Sequence, residues 1–249
     1  MLESLRCPVI FAHRGASAYA PENTLAAFKL AVEMGADAIE LDAKLSADGQ
    51  VVIIHDQSVD RTTNGSGNVN QLKLDYLQQL DAGSSFDGKY HDEPVPSLDQ
   101  VFAEVGGKIF INVELTNYAS SSDDLVPRVA DLVQKHNLQD GVIFSSFNPF
   151  NLVKIHRLLP ACPVAILCLA GSRGALSRSL LGRWFSPKAV HPFLDDVTPG
   201  YVNRQHSIGR RVHVWTVNQP GDMKRLVAMG VDGIITDDPP TALKIREDA

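Results

Sequence analysis

The sequence predicts an α/β fold, a (β/α)₈ TIM barrel with a small insertion after the hairpin that contains its second strand. Short β-rich runs alternate with helix-like stretches along the chain, and a single pair of runs is separated only by a tight turn. Strand and helix in alternation are typical of parallel sheets with right-handed crossovers. The length of 249 residues suits one such barrel. An open doubly wound sheet is the alternative.

Nine runs are rich in β-branched and aromatic residues and are therefore candidate strands. Eight barrel strands remain if the third run is the return arm of a hairpin with the second. The runs are VIFAH (9–13), AIELDA (38–43), VVIIH (51–55), IFINVEL (109–115), VIFSSF (142–147), PVAILC (163–168), AVHPF (189–193), VHVWTV (212–217) and GIITD (233–237).

The hairpin lies in the stretch ELDAKLSADGQVVIIHD. Its alternation of polar and apolar residues has period two, so Glu40 and Asp42 face the same way. The Asp-Gly pair at 48–49 suits a two-residue type I′ turn between antiparallel strands. A hairpin centred there places Asp42 opposite His55.

Helix-like stretches separate most of the runs. In the first, PENTLAAFKLAVEMG, Pro21 and Glu22 mark the predicted start and Gly35 the predicted end. Residues 57–96 are rich in Gly, Asn, Asp and Ser and are predicted to form the insertion. Residues 1–249 are expected to be one domain. The other clear helix-like stretches are DLVPRVADLVQKHN (124–137), NPFNLVKIHRLLP (148–160) and GDMKRLVAMG (221–230).

The composition argues against several classes of protein. The chain has 23 basic and 29 acidic residues, for a formal net charge of -6, and no basic run that would bind nucleic acid. It shows neither a cleavable leader nor 18 uninterrupted apolar residues, so we expect no stable membrane insertion. Cys7, Cys162 and Cys168 lack the spacing of a zinc site or a disulfide framework. We therefore expect a cytoplasmic protein, while the oligomeric state stays open.

Acidic residues occur at the carboxyl ends of two predicted strands, where the chemistry of such barrels lies. Glu40 and Asp42 are on the second run and Glu114 is on the fourth. Three carboxylates facing one cavity would repel one another without a cation, and hard oxygen ligands suit Mg²⁺ or Ca²⁺. The alternative is that one or two of them merely pair with Arg14 or Lys44.

Two histidines would flank this predicted metal site. His13 ends the first run and His55 ends the hairpin, and imidazoles that titrate near neutrality suit an acid and base pair. Arg14 offers a planar fork for phosphate oxygens. Trp215 either lines a substrate pocket or packs in the core. The sequence does not decide which histidine is the base.

Eight motifs follow one another along the chain, namely HRG (13–15), PENT (21–24), E-x-D (40–42), DG and HD (48–56), RTTNGSG (61–67), PSL (96–98), WTVN (215–218) and ITDDP (235–239). Together they resemble the glycerophosphodiester phosphodiesterases. The resemblance covers nearly the whole chain and implies a metal-dependent (β/α)₈ barrel that hydrolyses glycerophosphodiesters, such as glycerophosphocholine, to sn-glycerol 3-phosphate and an alcohol. It also implies catalytic roles for His13 and His55, a phosphate contact for Arg14 and metal ligation by the three acids.

One position departs from the family pattern. The resemblance implies Glu-x-Lys at the third acid, whereas this chain has Glu114-Leu115-Thr116. The positive charge expected near the phosphate is therefore missing at Thr116. We hypothesise that Lys44, which shares a hairpin face with Asp42, supplies it as a substrate-binding residue.

Three other functions compete with this interpretation. A glycosidase could use Glu40 and Glu114 as its acid pair, but it would give the histidines and Arg14 no role. A lysolipid phosphodiesterase of the same superfamily would act at membranes, although the sequence shows no evident anchor or basic amphipathic face. A noncatalytic barrel that only binds glycerophosphodiesters is suggested by Thr116. Metal dependence and release of glycerol 3-phosphate distinguish these possibilities.

Overall fold

The computed structural model describes residues 5–117, 122–186 and 188–249. Each of the nine predicted runs contains or overlaps a strand, which confirms the strand predictions to within three residues at either end. The strands are β1 (Val9–His13), β2 (Ala38–Leu45), β3 (Val51–Ile53), β4 (Phe110–Leu115), β5 (Val142–Ser146), β6 (Val164–Cys168), β7 (Ala189–Pro192), β8 (Arg211–Val214) and β9 (Gly233–Thr236).

Eight of these strands form a closed parallel barrel. Around the ring the order is β1, β9, β8, β7, β6, β5, β4 and β2, and the pairing of β1 with β2 closes it. The remaining strand, β3, pairs antiparallel with β2 and lies outside the ring. The prediction of a (β/α)₈ barrel with one hairpin is confirmed. The carboxyl ends of all eight barrel strands therefore meet at one mouth.

Helices cover the outside of the barrel. Five further short 3₁₀ turns occur in the described part of the chain, two of them within residues 57–96. Among the described residues no helix is long and apolar enough to cross a bilayer. The α-helices described are α1 (Leu25–Glu33), α2 (Leu74–Leu77), α3 (Leu98–Val105), α4 (Leu125–Lys135), α5 (Pro149–Leu158), α6 (Ala175–Arg178), α7 (Pro199–Ser207), α8 (Pro220–Ala228) and α9 (Pro239–Glu247).

The first helix starts later than predicted. It begins at Leu25, and Thr24 is its N-cap, with Oγ1 accepting from the Ala27 N–H at 3.2 Å. A threonine in this position satisfies one of the free N–H groups of the first turn. Pro21 and Glu22 therefore precede the helix, and this leaves their loop free to reach the mouth of the barrel.

The hairpin loop is one residue longer than predicted. Ala43 pairs with Ile53, so the loop comprises residues 47–49 rather than two residues. Gly49 has φ of 73° and its N–H donates to the Ser46 carbonyl at 3.0 Å, as in a type I turn closed by a left-handed residue. A type I′ turn needs positive φ at both central residues, and only the glycine adopts it.

The shifted register moves His55 away from its predicted partner. Asp42 is opposite Ile54, whose N–H donates to the Asp42 carbonyl at 3.0 Å. His55 lies beyond the last residue of β3 and is placed by side-chain contacts instead of a strand ladder. The predicted pairing of Asp42 with His55 is wrong, although both residues still reach the same cavity.

Residues 57–96 follow the hairpin, as the sequence predicts for the insertion. They pack on the outer strand through a small apolar cluster of their own, and Glu93 Oε1 accepts from the Ala26 N–H of α1 at 2.9 Å. These contacts fix the segment beside the mouth of the barrel. The cluster comprises Val52, Ile54, Val59, Val69, Leu77, Leu80, Ala82 and Val95.

A second apolar cluster fills the barrel interior, below the mouth. Two fully buried histidines lie among these side chains, with His191 Nε2 and His213 Nδ1 3.0 Å apart. Both rings pack against Phe11. The two histidines thus form a polar pair beside the apolar side chains of this cluster.

Candidate active site

A cavity of roughly 130 Å³ opens at the carboxyl ends of the barrel strands. Its lining includes seven of the eight residues predicted from the sequence to form the site. Lys44, the eighth, lies outside the lining. The seven are His13, Arg14, Glu40, Asp42, His55, Glu114 and Trp215.

The three predicted metal ligands come together because β2 and β4 are parallel neighbours. Asp42 pairs directly with Glu114 and Glu40 with Asn112, so equivalent faces of the two strands point into the cavity. One carboxylate oxygen from each of Glu40, Asp42 and Glu114 lies within 4.8 Å of the other two. Glu40 and Asp42 are 3% and 2% exposed, so water screens their repulsion poorly.

The electrostatics of this cluster fit a cation. Burial raises the pKa of Glu40 well above its usual range, and the neighbouring charges of Asp42 and Glu114 raise it further. Glu40 Oε1 is buried without a hydrogen-bond partner in the described structure, as is Asn112 Oδ1 in the same cavity. Unsatisfied oxygen acceptors and clustered carboxylates are the donor set that Mg²⁺ and Ca²⁺ prefer. The residues present therefore fit a divalent ion.

Asp42 is held in place by the PENT loop. Asn23 Nδ2 donates to Asp42 Oδ2 at 2.9 Å, and the Asp42 N–H donates to Asn23 Oδ1 at 3.3 Å. Asn23 has φ of 58° and is buried, a left-handed conformation that asparagine tolerates better than most residues. The paired bonds fix both the backbone and the carboxylate of Asp42.

His13 is oriented by an aspartate from the last strand region. Its Nδ1 lies 2.6 Å from Asp237 Oδ1, while Nε2 lies 3.9 Å from Glu40 Oε2. Burial acts to raise the pKa of Asp237, but the contact with His13 and the hydrogen bonds from Asn218 and Ser17 outweigh it and lower the pKa. A carboxylate at Nδ1 fixes the ring and its tautomer, which leaves Nε2 toward the cavity.

His55 is oriented in a parallel way by its neighbour in sequence. Its Nδ1 lies 2.6 Å from Asp56 Oδ1, and Arg61 Nε donates to Asp56 Oδ2 at 2.6 Å. The Arg61 hydrogen bond lowers the pKa of Asp56 to about 2. Arg61 also makes two hydrogen bonds to Glu22. The insertion and the PENT loop thus hold the second histidine.

Arg14 bridges these groups. Its backbone N–H donates to Glu40 Oε2 at 3.1 Å. In its side chain, Nη1 donates to Glu22 Oε1 at 2.9 Å and Nε lies 3.5 Å from Asp42 Oδ2. Burial acts to lower the pKa of Arg14, but the carboxylates of Asp42, Glu22 and Glu40 outweigh it and raise the pKa. The guanidinium therefore stays charged at the edge of the acidic cluster.

Lys44 lies two residues after Asp42 on β2. Its side chain is buried and Nζ donates to Thr116 Oγ1 at 2.9 Å. Burial lowers the pKa of Lys44, an effect that the charges of Asp42 and Glu114 partly oppose. The positive charge thus lies directly beside the residue that departs from the family pattern.

Trp215 follows β8 and forms part of the cavity wall. Its Nε1 donates to the His191 carbonyl at 2.8 Å. Its ring makes edge contacts with Phe147 and Phe193, with centroids 5.5 Å apart in each case. These contacts fix the ring at the rim of the site.

Several residues that shape the site were not predicted from the sequence. Asp56 and Asp237 orient the two histidines, and Asn23 and Glu22 position Asp42 and the arginines. All four lie in motifs that the sequence shows clearly, namely PENT, HD and ITDDP. Their contacts with the histidines, Asp42 and the arginines could not be predicted, because spacing in the sequence does not show which side chain a loop residue contacts.

Comparisons with known proteins point to one family. The sequence model of the glycerophosphoryl diester phosphodiesterase family matches residues 13–241. A glycerophosphodiester phosphodiesterase of Caldanaerobacter subterraneus is 38% identical over 238 residues, which covers 95% of this chain and 97% of that protein. One from Bacillus altitudinis is 34% identical over 96% of this chain and 98% of its own length.

A solved structure gives the same result for the fold. A phosphodiesterase of Oleispira antarctica in complex with the product sn-glycerol-3-phosphate is 30% identical and covers 97% of each chain, with a TM-score of 0.89. The match extends over the barrel and the segments at its mouth. With a family match over most of its length and relatives above 30% identity across nearly all of it, this chain belongs to the glycerophosphoryl diester phosphodiesterase family.

Proposed function

We propose that this enzyme hydrolyses water-soluble glycerophosphodiesters, such as glycerophosphocholine or glycerophosphoethanolamine, to sn-glycerol 3-phosphate and an alcohol. The observation that carries the proposal is one cavity in which three clustered carboxylates, two aspartate-held imidazoles and a guanidinium come together. A phosphodiester needs its negative charge balanced and a proton moved at each of two oxygens. This set of side chains supplies both.

We assign the carboxylates of Glu40, Asp42 and Glu114 to one divalent cation, Mg²⁺ or Ca²⁺. When bound, such an ion neutralises phosphate charge and stabilises the charge that builds on the nonbridging oxygens. Support comes from the mutual distances of the carboxylate oxygens and from the unpartnered Glu40 Oε1. Asn112 Oδ1 offers a further neutral oxygen on the same side.

We assign proton transfer to His13 and His55. One ring takes the proton of the attacking hydroxyl, which by family resemblance is the glycerol 2-hydroxyl, and the other protonates the leaving alcohol. Water then opens the cyclic phosphate with the roles reversed. Because Nδ1 of each ring is hydrogen-bonded to an aspartate, Nε2 is the nitrogen that accepts or donates the proton in this proposal.

Of the remaining predicted residues, two would contact substrate and Lys44 would act through its charge. Arg14 has a charged guanidinium at the cavity and contacts phosphate oxygens in this proposal. Trp215 presents an aromatic edge against which the glycerol carbons pack. Lys44 acts from the second layer, where its charge partly offsets that of Asp42.

The test is a coupled assay for glycerol 3-phosphate with several headgroups, on protein stripped with EDTA and on the same protein after addition of Mg²⁺ or Ca²⁺. We expect activity only with metal. His13→Ala should lower kcat by about 10² to 10⁴ with an unchanged circular dichroism spectrum. His136→Ala, at a histidine bonded to Asp99 away from the cavity, is the matched control. Release of no glycerol 3-phosphate under any condition, or full activity of His13→Ala, would contradict the proposal.

Metal binding can be tested apart from activity. An ion that binds only the folded state raises the melting temperature with its concentration. We expect such a rise for the wild type and little or none for Glu40→Gln, which keeps the shape of the side chain but removes its charge. An equal rise in both proteins would place the ion elsewhere.

A further inference from the structure

One part of the chain differs in charge from the rest. Residues 141–194 contain no aspartate or glutamate and six lysines or arginines, whereas the remainder has 17 basic and 29 acidic residues. This stretch spans β5, α5, β6, α6 and β7, which are successive in the barrel. We call it the acid-free flank. The acidic residues of the protein therefore all lie outside this stretch of the sequence.

The same flank carries most of the exposed large apolar side chains. Nine such side chains are exposed in the described part of the chain, and six of them lie in residues 141–194. Trp184 is 84% exposed and Leu176 is 65% exposed. Exposed large apolar side chains that lie close together mark a binding face more often than single scattered ones, and four of the six lie in the short segment between β6 and β7. The six are Phe150, Leu158, Leu169, Leu176, Leu181 and Trp184.

Four of the six basic residues of the flank have side chains that a ligand can reach. Arg157, Arg173, Arg183 and Lys188 are exposed, and none forms an ion pair with another residue in the described ranges. Arg178 is different, because Asp196 and two carbonyls hold its guanidinium. The four exposed cations are interspersed along the chain with the exposed apolar side chains.

We propose that the acid-free flank docks on an anionic lipid surface. Tryptophan and leucine beside arginine and lysine are typical of segments that lie in a membrane interface. Each basic residue near such a surface adds attraction to anionic lipids. The binding is peripheral, since no described helix could span a bilayer.

The exposure of the apolar groups favours lipid over an acidic protein partner. A side chain that lines a groove for a peptide is shielded by the groove walls, whereas Trp184, Leu176 and Leu181 are 84%, 65% and 59% exposed. They project from short turns, at Ala175–Arg178 and Leu180–Trp184, that leave no long helix face to dock. Single apolar side chains that project from the surface can enter a lipid interface, because lipid molecules rearrange to fit their spacing.

The test is sedimentation of the protein with vesicles of phosphatidylcholine alone or with equimolar phosphatidylglycerol. We expect binding to the anionic vesicles that weakens with salt. Trp184→Ala and Arg183→Glu should each weaken it by about tenfold or more. Matched controls are Tyr76→Ala, an exposed aromatic in the insertion, and Arg204→Glu, an exposed arginine on α7. Hydrolysis of soluble glycerophosphocholine should be unchanged in all four variants, which verifies folding.

Three results would overturn the proposal. One is equal sedimentation with neutral and anionic vesicles, or no sedimentation with either. Another is binding to polyglutamate as tight as to anionic vesicles, which would indicate an acidic protein partner. The third is a dimer that Trp184→Ala dissociates in light scattering, which would make the flank a contact between two copies of the chain.

Discussion

The buried histidine pair predicts how stability depends on pH. His191 and His213 are fully buried inside the barrel and 3.0 Å apart. Burial lowers the pKa of His191 from 6.5 to about 3. Burial also lowers the pKa of His213, with the charge of His191 acting in the same direction. Both rings are therefore neutral in the folded protein over the range in which a free imidazole becomes charged.

The sign follows from proton binding. Between pH 6.5 and 3 the unfolded chain binds a proton at His191 that the folded protein does not, so acid favours unfolding. The contribution is negligible above pH 7 and grows by about 1.4 kcal/mol per pH unit below 6.5. At pH 5 it amounts to about 2 kcal/mol from His191, and His213 adds to it in the same direction.

Urea unfolding at pH 7 and pH 5 measures this loss. His191→Gln cannot titrate, so its loss of unfolding free energy between the two pH values should be smaller than that of the wild type by about 2 kcal/mol. His156→Gln, at an exposed histidine on α5, should retain the wild-type loss. If His191→Gln and the wild type lose stability equally, the pair is not kept neutral by burial and the reasoning fails.

Three further predictions concern the site. Asp237→Asn removes the carboxylate that holds His13, and kcat should fall by about 10² or more with unchanged secondary structure. A variant with the wild-type kcat would show that Asp237 does not position His13. Gly15 has φ of +84° and an added Cβ would lie 2.6 Å from Ala27 Cβ, so Gly15→Ala should lower the free energy of unfolding by roughly 2 to 4 kcal/mol, and equal urea midpoints would contradict this. Lys44→Met keeps the volume but removes the positive charge beside Thr116, and kcat/KM should fall about tenfold, as expected when one nearby charge that helps to balance the phosphate is lost. Unchanged catalytic efficiency would end the hypothesis that Lys44 replaces the missing family lysine.

The barrel was predictable because its signals are local and repeated. Each strand is a short β-rich run with a helix-like stretch after it, and parallel pairing follows from that alternation. The hairpin turn was harder, since Asp-Gly suits two turn types, and the backbone of Asp48, which lacks the positive φ of a type I′ turn, distinguishes them. The start of α1 was misplaced for a similar reason. Proline and glutamate are common in a first helical turn, but here Glu22 is used by Arg14 and Arg61.

The site was predictable as far as strand ends determine it. Glu40, Asp42 and Glu114 follow from their strands, because neighbouring parallel strands carry equivalent residues to the same edge. Partners contributed by loops could not be obtained this way. Asp237 is 224 residues from His13 in the chain, and no periodicity relates the two positions.

The site has an acidic half, formed by Glu40, Asp42 and Glu114, and a half that contains His55. Different parts of the structure hold these two halves. The carboxylates depend on the register between β2 and β4, which the closed barrel fixes, so a one-residue shift in the hairpin leaves them in place. His55 lies past the end of β3 and depends on Asp56, whose carboxylate is fixed by Arg61. The acidic half is therefore rigid barrel structure, while the second histidine is held by the insertion. Changes in the insertion should consequently affect proton transfer before they affect metal binding.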